Sequence, residues 1–279
     1  MNKTFSKKSA FSLIELSIVL LIIGLLVAGV TGGASLIRSS ELRAALSEAR
    51  GYSVAVNTFY TRYVALPGDY KTAINGSLVA GATNGGDDKI QYYAGDVTTY
   101  LSENVVAWSQ LRKSGIIDKA YAPLVITSDQ VIGTNRPAAK IKNAGWSFDY
   151  RMSPGTAFTT TYVEVVNEGL DAAPANQNVL VLSGLTGTTA PTDLATLANS
   201  ATGTAGVATA VLTGSDAEMF DKKADDGVAN AGKIRALNAA TDPCYTANAS
   251  ADADYTINPA KAGTKVCAMT YQVDVGSNS

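Results

Sequence analysis

Residues 16–37 form a run of 22 positions without a single charge. Beyond it, apolar side chains recur three and four apart at Leu42, Leu46, Ala49, Val56, Tyr60 and Tyr63, while Arg43, Glu48 and Arg50 fall on other faces. A stretch of roughly 18 or more apolar residues reads as a membrane span, and the spacing that follows reads as an amphipathic helix. Together they predict one helix from Phe11 to about Val64, roughly 54 residues and about 80 Å long. Pro67-Gly68 ends it, because proline disfavours helix in the residue before it and glycine supplies turn geometry. Gly24, Gly29, Gly32 and Gly33 interrupt the run, each costing up to ~1 kcal/mol relative to alanine in a helix. Two readings stand side by side: close approach between helices with a weak point at Gly32-Gly33, or the ordinary tolerance of membrane helices for glycine.

The pattern changes after residue 66. Tyr100, Val105, Trp108 and Leu111 predict a helix over 99–114 with Gly115 as its C-cap. These large side chains at helical spacing are core rather than a ligand-binding set. Short β-branched and aromatic runs bounded by Gly, Pro or Asn predict strands at 146–152, 159–166 and 178–182. Residues 185–214 are rich in Thr, Ala, Gly and Ser, an exposed insertion open to mobility or O-glycosylation, with irregular surface packing the plainer reading. Ser215-Asp216-Ala217-Glu218 has the form of a capping box and predicts a helix to about Ala224. Asp225-Asp226-Gly227 turns the chain into a strand at 233–237, and 264–273 supplies the last strand. The class is α+β, with an antiparallel sheet against the second half of the long helix.

Charge sharpens the N-terminus. Lys3, Lys7 and Lys8 precede the apolar run, and Glu15 sits just inside it. A charged side chain at the bilayer centre costs about 2.5–3.5 kcal/mol on insertion scales, so Glu15 needs a partner. The nearest available one is a new amine created by cleavage just upstream. Ala10-Phe11-Ser12-Leu13-Ile14-Glu15-Leu16 resembles the processing site of type IV prepilins and type II secretion pseudopilins. The resemblance implies a cut between Ala10 and Phe11 by a prepilin peptidase, N-methylation of Phe11, and Glu15 as the fifth residue of the mature chain. Ala10 departs from the glycine usual in the family. A secretory signal peptide would have an apolar region of only about 7–15 residues before a small-residue cut; Ala28-Gly29 or Gly33-Ala34-Ser35 could serve, but the run is too long and Glu15 is out of place. A plain membrane anchor explains the length and not Glu15.

The resemblance extends more loosely through Leu66-Pro67-Gly68-Asp69-Tyr70, Gly86-Asp87-Asp88-Lys89-Ile90, and Phe220 through Gly227. These look like a prepilin-like subgroup with an LPGD turn, an acidic Gly-Asp loop and a DxKxDDG string before its cysteine loop. It implies the pilin fold: residues 1–10 a cleaved leader, 11–37 the membrane or filament-core half of the helix, 38–65 its amphipathic half, and 66–279 the globular domain. For an exported chain, Cys244 and Cys267, with 22 residues between them, read as a disulfide, which loop-closure entropy would make worth about 3 kcal/mol. A C-terminal pair also resembles the closed region of many pilins.

Composition removes the main catalytic alternatives. The chain has no histidine, which excludes the usual triads, the commonest general base and the usual catalytic zinc sites. Acidic residues are dispersed without a matched catalytic pair. Without its first ten residues, which hold three lysines and no acid, the chain has 19 basic and 24 acidic residues, a net charge of −5. The basic residues are scattered singly, so no nucleic-acid footprint is indicated. Calcium is the one cofactor the acidic strings admit, at Asp221 with Asp225 and Asp226, or less well at Asp87 with Asp88. Calcium takes six to eight oxygens, neither string has EF-hand spacing, and turn-building is the plainer role.

The expectation is therefore a non-catalytic structural subunit of a pilus-like filament or secretion pseudopilus. Its implied partners are a prepilin peptidase and N-methyltransferase, other pilin subunits, the inner-membrane assembly platform, and membrane lipid before assembly. It would sit in the inner membrane with its C-terminal domain in the periplasm before entering a periplasmic or extracellular filament. The competing class is a membrane-anchored periplasmic adhesion or binding domain that never polymerises.

Overall fold

The computed structural model describes residues 12–75, 86–90, 92–93, 103–118, 132–133, 136–152, 162–163, 165–166, 177–184, 210–238, 244–245, 254–257 and 263–275. The chain divides into two units, Met1–Glu41 and Leu42–Ser279. Helix α1, Leu13–Tyr63, contributes to both. In the first unit its apolar side chains are exposed on all sides, among them Leu16, Leu20, Ile23, Leu26, Val30 and Ile37. Among the described residues it is the one helix long and apolar enough to cross a membrane.

In the second unit α1 is strongly two-faced. Leu42, Ala45, Leu46, Ala49, Tyr52, Ala55, Val56 and Phe59 are buried at three- and four-residue spacing. Tyr60 and Tyr63, expected in the core, only pack against its edge. Phe59 takes the central position, with Tyr63 and Tyr70 ranged beside its ring. The helix stops one residue before Val64, which takes a left-handed conformation (φ 53°) and donates its N–H to the Tyr60 carbonyl at 2.8 Å. That single bond closes the last turn, and Pro67-Gly68 follow.

Helix α2, Glu103–Lys113, buries Val105, Val106, Trp108 and Leu111. Gly115 (φ 75°) ends it: Gly115 N–H donates to Arg112 and Ile116 N–H to Leu111, the paired bonds of a Schellman cap. The expected start at 99–102 lies outside the described residues.

The main sheet has the order β4-β2-β5-β7-β6, with β2 Gly145–Met152, β4 Val165–Val166, β5 Gln177–Ser183, β6 Ile234–Asn238 and β7 Cys267–Gln272. β2, β5, β7 and β6 pair antiparallel, and β4 adds a short parallel edge to β2. Tyr92–Tyr93 (β1) and Tyr162–Val163 (β3) form a separate antiparallel ladder. Described residues of the expected strand at 159–166 are thus divided between two sheets. Trp146, Phe148, Leu180, Leu182, Met269, Ile234 and Ala236 join the α1 side chains in one core. The alternate positions Ser147, Asp149, Val179, Val181, Arg235 and Thr270 are buried as well, so both faces of the sheet are covered, one of them with several polar side chains.

Helix α3, Gly214–Lys222, corrects one expectation. Its N-cap is Thr213, whose hydroxyl accepts from Asp216 N–H, and Ser215 falls inside the first turn. Glu218 pairs with Lys222 instead of closing a box. Gly214, the first helical residue, passes close under Thr256: a Cβ there would lie 2.1 Å from the Thr256 carbonyl oxygen.

The turn after α1 is held from α2. Gly68 N–H donates to Gln110 Oε1 and Gln110 Nε2 donates to the Tyr70 carbonyl, both at 2.8 Å. Gly68 has φ 93°, and a Cβ there would lie 2.4 Å from the Glu103 carbonyl oxygen. Gly68→Ala should lower unfolding free energy by about 1–3 kcal/mol from backbone strain alone, with the clash added. Urea unfolding of the full chain in detergent, followed through Trp108 and Trp146, checks this; an unchanged midpoint would show that the turn yields freely.

Candidate functional site

Ser12 N–H donates to Glu15 Oε2 at 2.9 Å, immediately before the first helical residue, Leu13. Ser12-Leu13-Ile14-Glu15 therefore places the acid three residues after the cap position, reaching back to an exposed amide as in a capping box. The same placement sets a carboxylate against the positive end of the helix. The polar hydroxyls further along also turn inward: Ser17 Oγ donates to Ile14 and Ser35 Oγ to Gly32. Groups that satisfy themselves within the helix are what an apolar solvent demands. Gly24, Gly29, Gly32 and Gly33 have nothing within 4 Å of a built Cβ, leaving shallow positions on an open surface. Ala10 and Phe11 lie outside the described residues.

The two acidic strings form separate clusters. Around the LPGD turn, Asp69 is buried and accepts the backbone N–H groups of Gly86, Asp87 and Asp88. The turn so gripped reaches β5: Asn178 accepts from Ile90 N–H and donates to the Asp88 carbonyl. Burial pushes the Asp69 carboxyl above its ordinary range despite those amides, and burial with the Asp69 charge pushes Asp87 up. One carboxylate oxygen each from Asp69, Asp87 and Glu103 falls within a 4.8 Å span. The expected neighbour of Asp87 was Asp88; the fold brings Asp69 and Glu103 to it instead. Their distance along the chain hid this grouping, and the only available sign was the subgroup resemblance of the LPGD string.

The second cluster lies between α3 and β6. Asp221, Asp225 and Asp226, named together from the sequence, do bring their oxygens within 4.8 Å. Each also has a structural duty. Asp221 Oδ2 accepts from Tyr255 Oη at 2.8 Å. Asp225 accepts from Lys233 and Ile234 N–H, and Asp226 from Val228 N–H. Gly232 (φ 64°) is required here, since a Cβ would meet the Asp225 carboxylate at 2.0 Å. Burial, followed by the Asp226 and Asp225 charges, lifts Asp221 to about 7 against the opposing Tyr255 hydrogen bond. Burial and the Asp221 charge raise Tyr255 in turn. Three carboxylates supply three of the six to eight oxygens calcium takes.

Tyr255 belongs to the cysteine region. Cys244 and Cys267 Sγ atoms are 1.94 Å apart, with Cα atoms 4.9 Å apart, and both residues are buried. Thr256 N–H donates to the Cys244 carbonyl, and Tyr245 bridges Tyr255. The disulfide, Tyr255 and Asp221 thereby connect β7 to α3.

Residues 5–31 match the family model described as the prokaryotic N-terminal methylation motif, which supports a type IV pilin-like, prepilin-type protein. The α+β architecture, a long N-terminal apolar helix with a C-terminal antiparallel sheet, fits the pilin fold. Motif and apolar helix together fit membrane anchoring. No curated protein and no solved structure matches the chain.

Asp221 has a folded-state value of about 7 against an ordinary 3.8. Between these values the folded chain holds a proton that the unfolded chain has lost, so stability falls as pH rises through the window and levels off above it. One such group gives a slope of at most about 1.4 kcal/mol per pH unit. Asp221→Asn should remove this slope, measured as the urea midpoint from about pH 5 to about pH 8. Parallel curves for the two proteins would show that burial of this carboxyl does not set the dependence.

Proposed function

We propose that this chain is a structural, non-catalytic subunit of a type IV pilus-like filament, assembled through its N-terminal helix. The observation that carries the reading is the methylation-motif match over residues 5–31, on a helix whose apolar side chains are uncovered through Ile37. Prepilin peptidase cuts between Ala10 and Phe11 and methylates the Phe11 amine. Before assembly the helix spans the inner membrane with the globular unit in the periplasm; afterwards other helices replace the lipid around it.

Glu15 sets the register of that replacement. In the single chain its carboxylate rests on Ser12 N–H, a weak neutral donor for a charge in hydrocarbon. The cationic Phe11 amine of a neighbouring subunit is a stronger partner, because it adds the attraction of an opposite charge, which is large where the dielectric is low. The gain is available only at one axial offset between subunits, so the pairing selects that offset. A secretion pseudopilus would use the same processing and the same pairing. The cysteine pair suits the oxidising compartment in which the globular unit would fold.

Two measurements test this. Mass spectrometry of the mature chain should find an N-terminus at a methylated Phe11; an unmethylated chain beginning near Ala34 would instead mean a secretory signal peptide. Glu15→Val should be cleaved normally yet enter filaments at least about tenfold less, equivalent to about 1.4 kcal/mol of lost pairing. Incorporation of Glu15→Val at the normal level would end the pairing idea.

A further inference from the structure

Leu42 is the first side chain of α1 buried in the core of the second unit, only five positions after Ile37, where the uncharged run ends. As helix, five residues rise about 7.5 Å. The headgroup layer outside the hydrocarbon is roughly 5–7 Å deep on each side, and the field of a charged lipid surface reaches about another 8 Å beyond it. Tilting the helix only shortens the distance. Side chains at the Leu42 end of the second unit therefore stand within reach of lipid headgroups once α1 occupies a bilayer.

That end is basic. Arg43 is exposed on α1, and Glu48 ties a turn to the helix: its carboxylate accepts from Lys140 N–H at 3.0 Å and from Trp146 Nε1 at 3.2 Å. The turn is well braced. Ala139 N–H donates to the Ala144 carbonyl, Asn143 takes a left-handed conformation (φ 62°), and Ile141 is buried in the core. Lys140 and Lys142 flank that anchor and are exposed. The side chains of Arg43, Lys140 and Lys142 have no hydrogen-bond or ion-pair partner among the described residues. Residues 42–50 and 139–144 hold four basic side chains and one acid, Glu48, whereas the remainder of 42–279 holds 14 basic and 21 acidic ones. The acidic groupings lie toward the other end. Asp69 follows the exit of α1, and Asp274, joined to Asp225 through Lys233, accepts through its carbonyl from Asn57, about 22 Å further along the helix than Leu42.

We propose that Arg43 and the Lys140–Lys142 turn form a docking surface for anionic phospholipid headgroups on the leaflet from which α1 emerges. The inference rests on the membrane anchoring in the reading above and adds a lipid contact outside the span. The placement of the cations selects this occupant. Arg43 and Glu48 are about 140° apart around the helix, so the arginine and the lysine turn stand on different flanks of α1. Helical side chains lean toward the N-terminus, which brings the turn held by Glu48 down toward the level of Arg43. A partner chain lying along one face would meet only one of the two. A plane crossing the end of the unit meets both, and it offers phosphate oxygens throughout, which guanidinium and ammonium groups engage by charge-assisted hydrogen bonds. Docking by this end leaves the acidic remainder of the unit turned away from an anionic surface.

The two tryptophans of the chain, Trp108 and Trp146, both lie in the second unit and serve as energy donors to dansyl-labelled lipid headgroups. With the full chain reconstituted in vesicles, transfer should be higher when phosphatidylcholine is mixed with phosphatidylglycerol than in phosphatidylcholine alone. The gain should vanish in about 1 M salt, where the Debye length falls to about 3 Å. Lys140→Gln/Lys142→Gln, which leaves the Lys140 N–H bond to Glu48 in place, should reduce the gain at least about fivefold. Arg62→Gln/Lys113→Gln removes the same charge at the far end of the helix, where Arg62 meets the Ser114 carbonyl, and should leave the gain unchanged. An unchanged gain in the lysine pair, equal loss in both pairs, or a gain that survives salt would each overturn the docking proposal. So would a gain that grows with the protein-to-lipid ratio, which would mean that a second copy covers the surface. If alkaline carbonate releases the unmodified chain from the vesicles, the membrane reading has failed. If the chain stays embedded and shows no dependence on phosphatidylglycerol, only the docking has failed.

Discussion

The globular unit depends on one chain of ring contacts. Tyr52 of α1 meets Trp108 of α2 edge-on at 4.9 Å, and Trp108 in turn lies against Phe148 of β2 at 4.3 Å. Helix, helix and sheet are thus joined by three side chains, two of which are essentially inaccessible to solvent. Aromatic pairs of this kind contribute about 0.5–1.5 kcal/mol each beyond the area they bury. Their larger effect is geometric. With the Tyr52–Trp108–Phe148 contacts made, α2 stands close enough for Gln110 to hold both sides of the LPGD turn. The exit of the long helix is then determined, and with it the position of Asp69.

Carboxylates in this protein work chiefly as clamps on backbone. Asp69 grips three consecutive amides, Asp225 grips two, and Asp226 grips one. An acidic side chain that accepts from backbone N–H groups can hold an irregular loop in one shape without a hydrophobic core of its own. Burial has its cost, visible in the upward displacement of Asp69, Asp87 and Asp221. The arrangement is tolerated because the alternative, a buried loop with orphaned amides, costs more.

The long helix was legible because its two signals, an uncharged run and a period near 3.6, extend over many residues and cannot arise from a strand. The strands at Trp146, Val179, Ile234 and Met269 are legible within a few residues because each is a short stretch of aromatic, β-branched or other apolar residues bounded by turn formers. Two-residue strands such as Tyr92–Tyr93 have no period to read, and their partners lie far along the chain. The start of α3 is ambiguous in the sequence because Thr213 and Ser215 are both good caps, and the fold uses Thr213. The grouping of Asp221, Asp225 and Asp226 could be foreseen, being local; that of Asp69, Asp87 and Glu103 could not, since it exists only once α2 is docked. Glu15 is an anomaly by hydropathy alone, and its hold on Ser12 N–H follows from the cap geometry of the four residues Ser12-Leu13-Ile14-Glu15.

The position of β7 has a consequence for how the domain comes into being. This strand lies furthest along the chain among those described, yet it sits inside the sheet, between β5 and β6. Until residues 267–272 have been made and delivered, β5 has a bare edge and β6 has no neighbour in the ladder. The sheet therefore cannot close progressively from its N-terminal side as the chain emerges. It waits for residues 267–272 and then completes by insertion of an interior strand, a non-local step of the kind that slows folding and leaves strand edges open to wrong pairing meanwhile. Quality control for this protein would be temporal: the interval between synthesis of β5 and arrival of β7 is when it is most vulnerable.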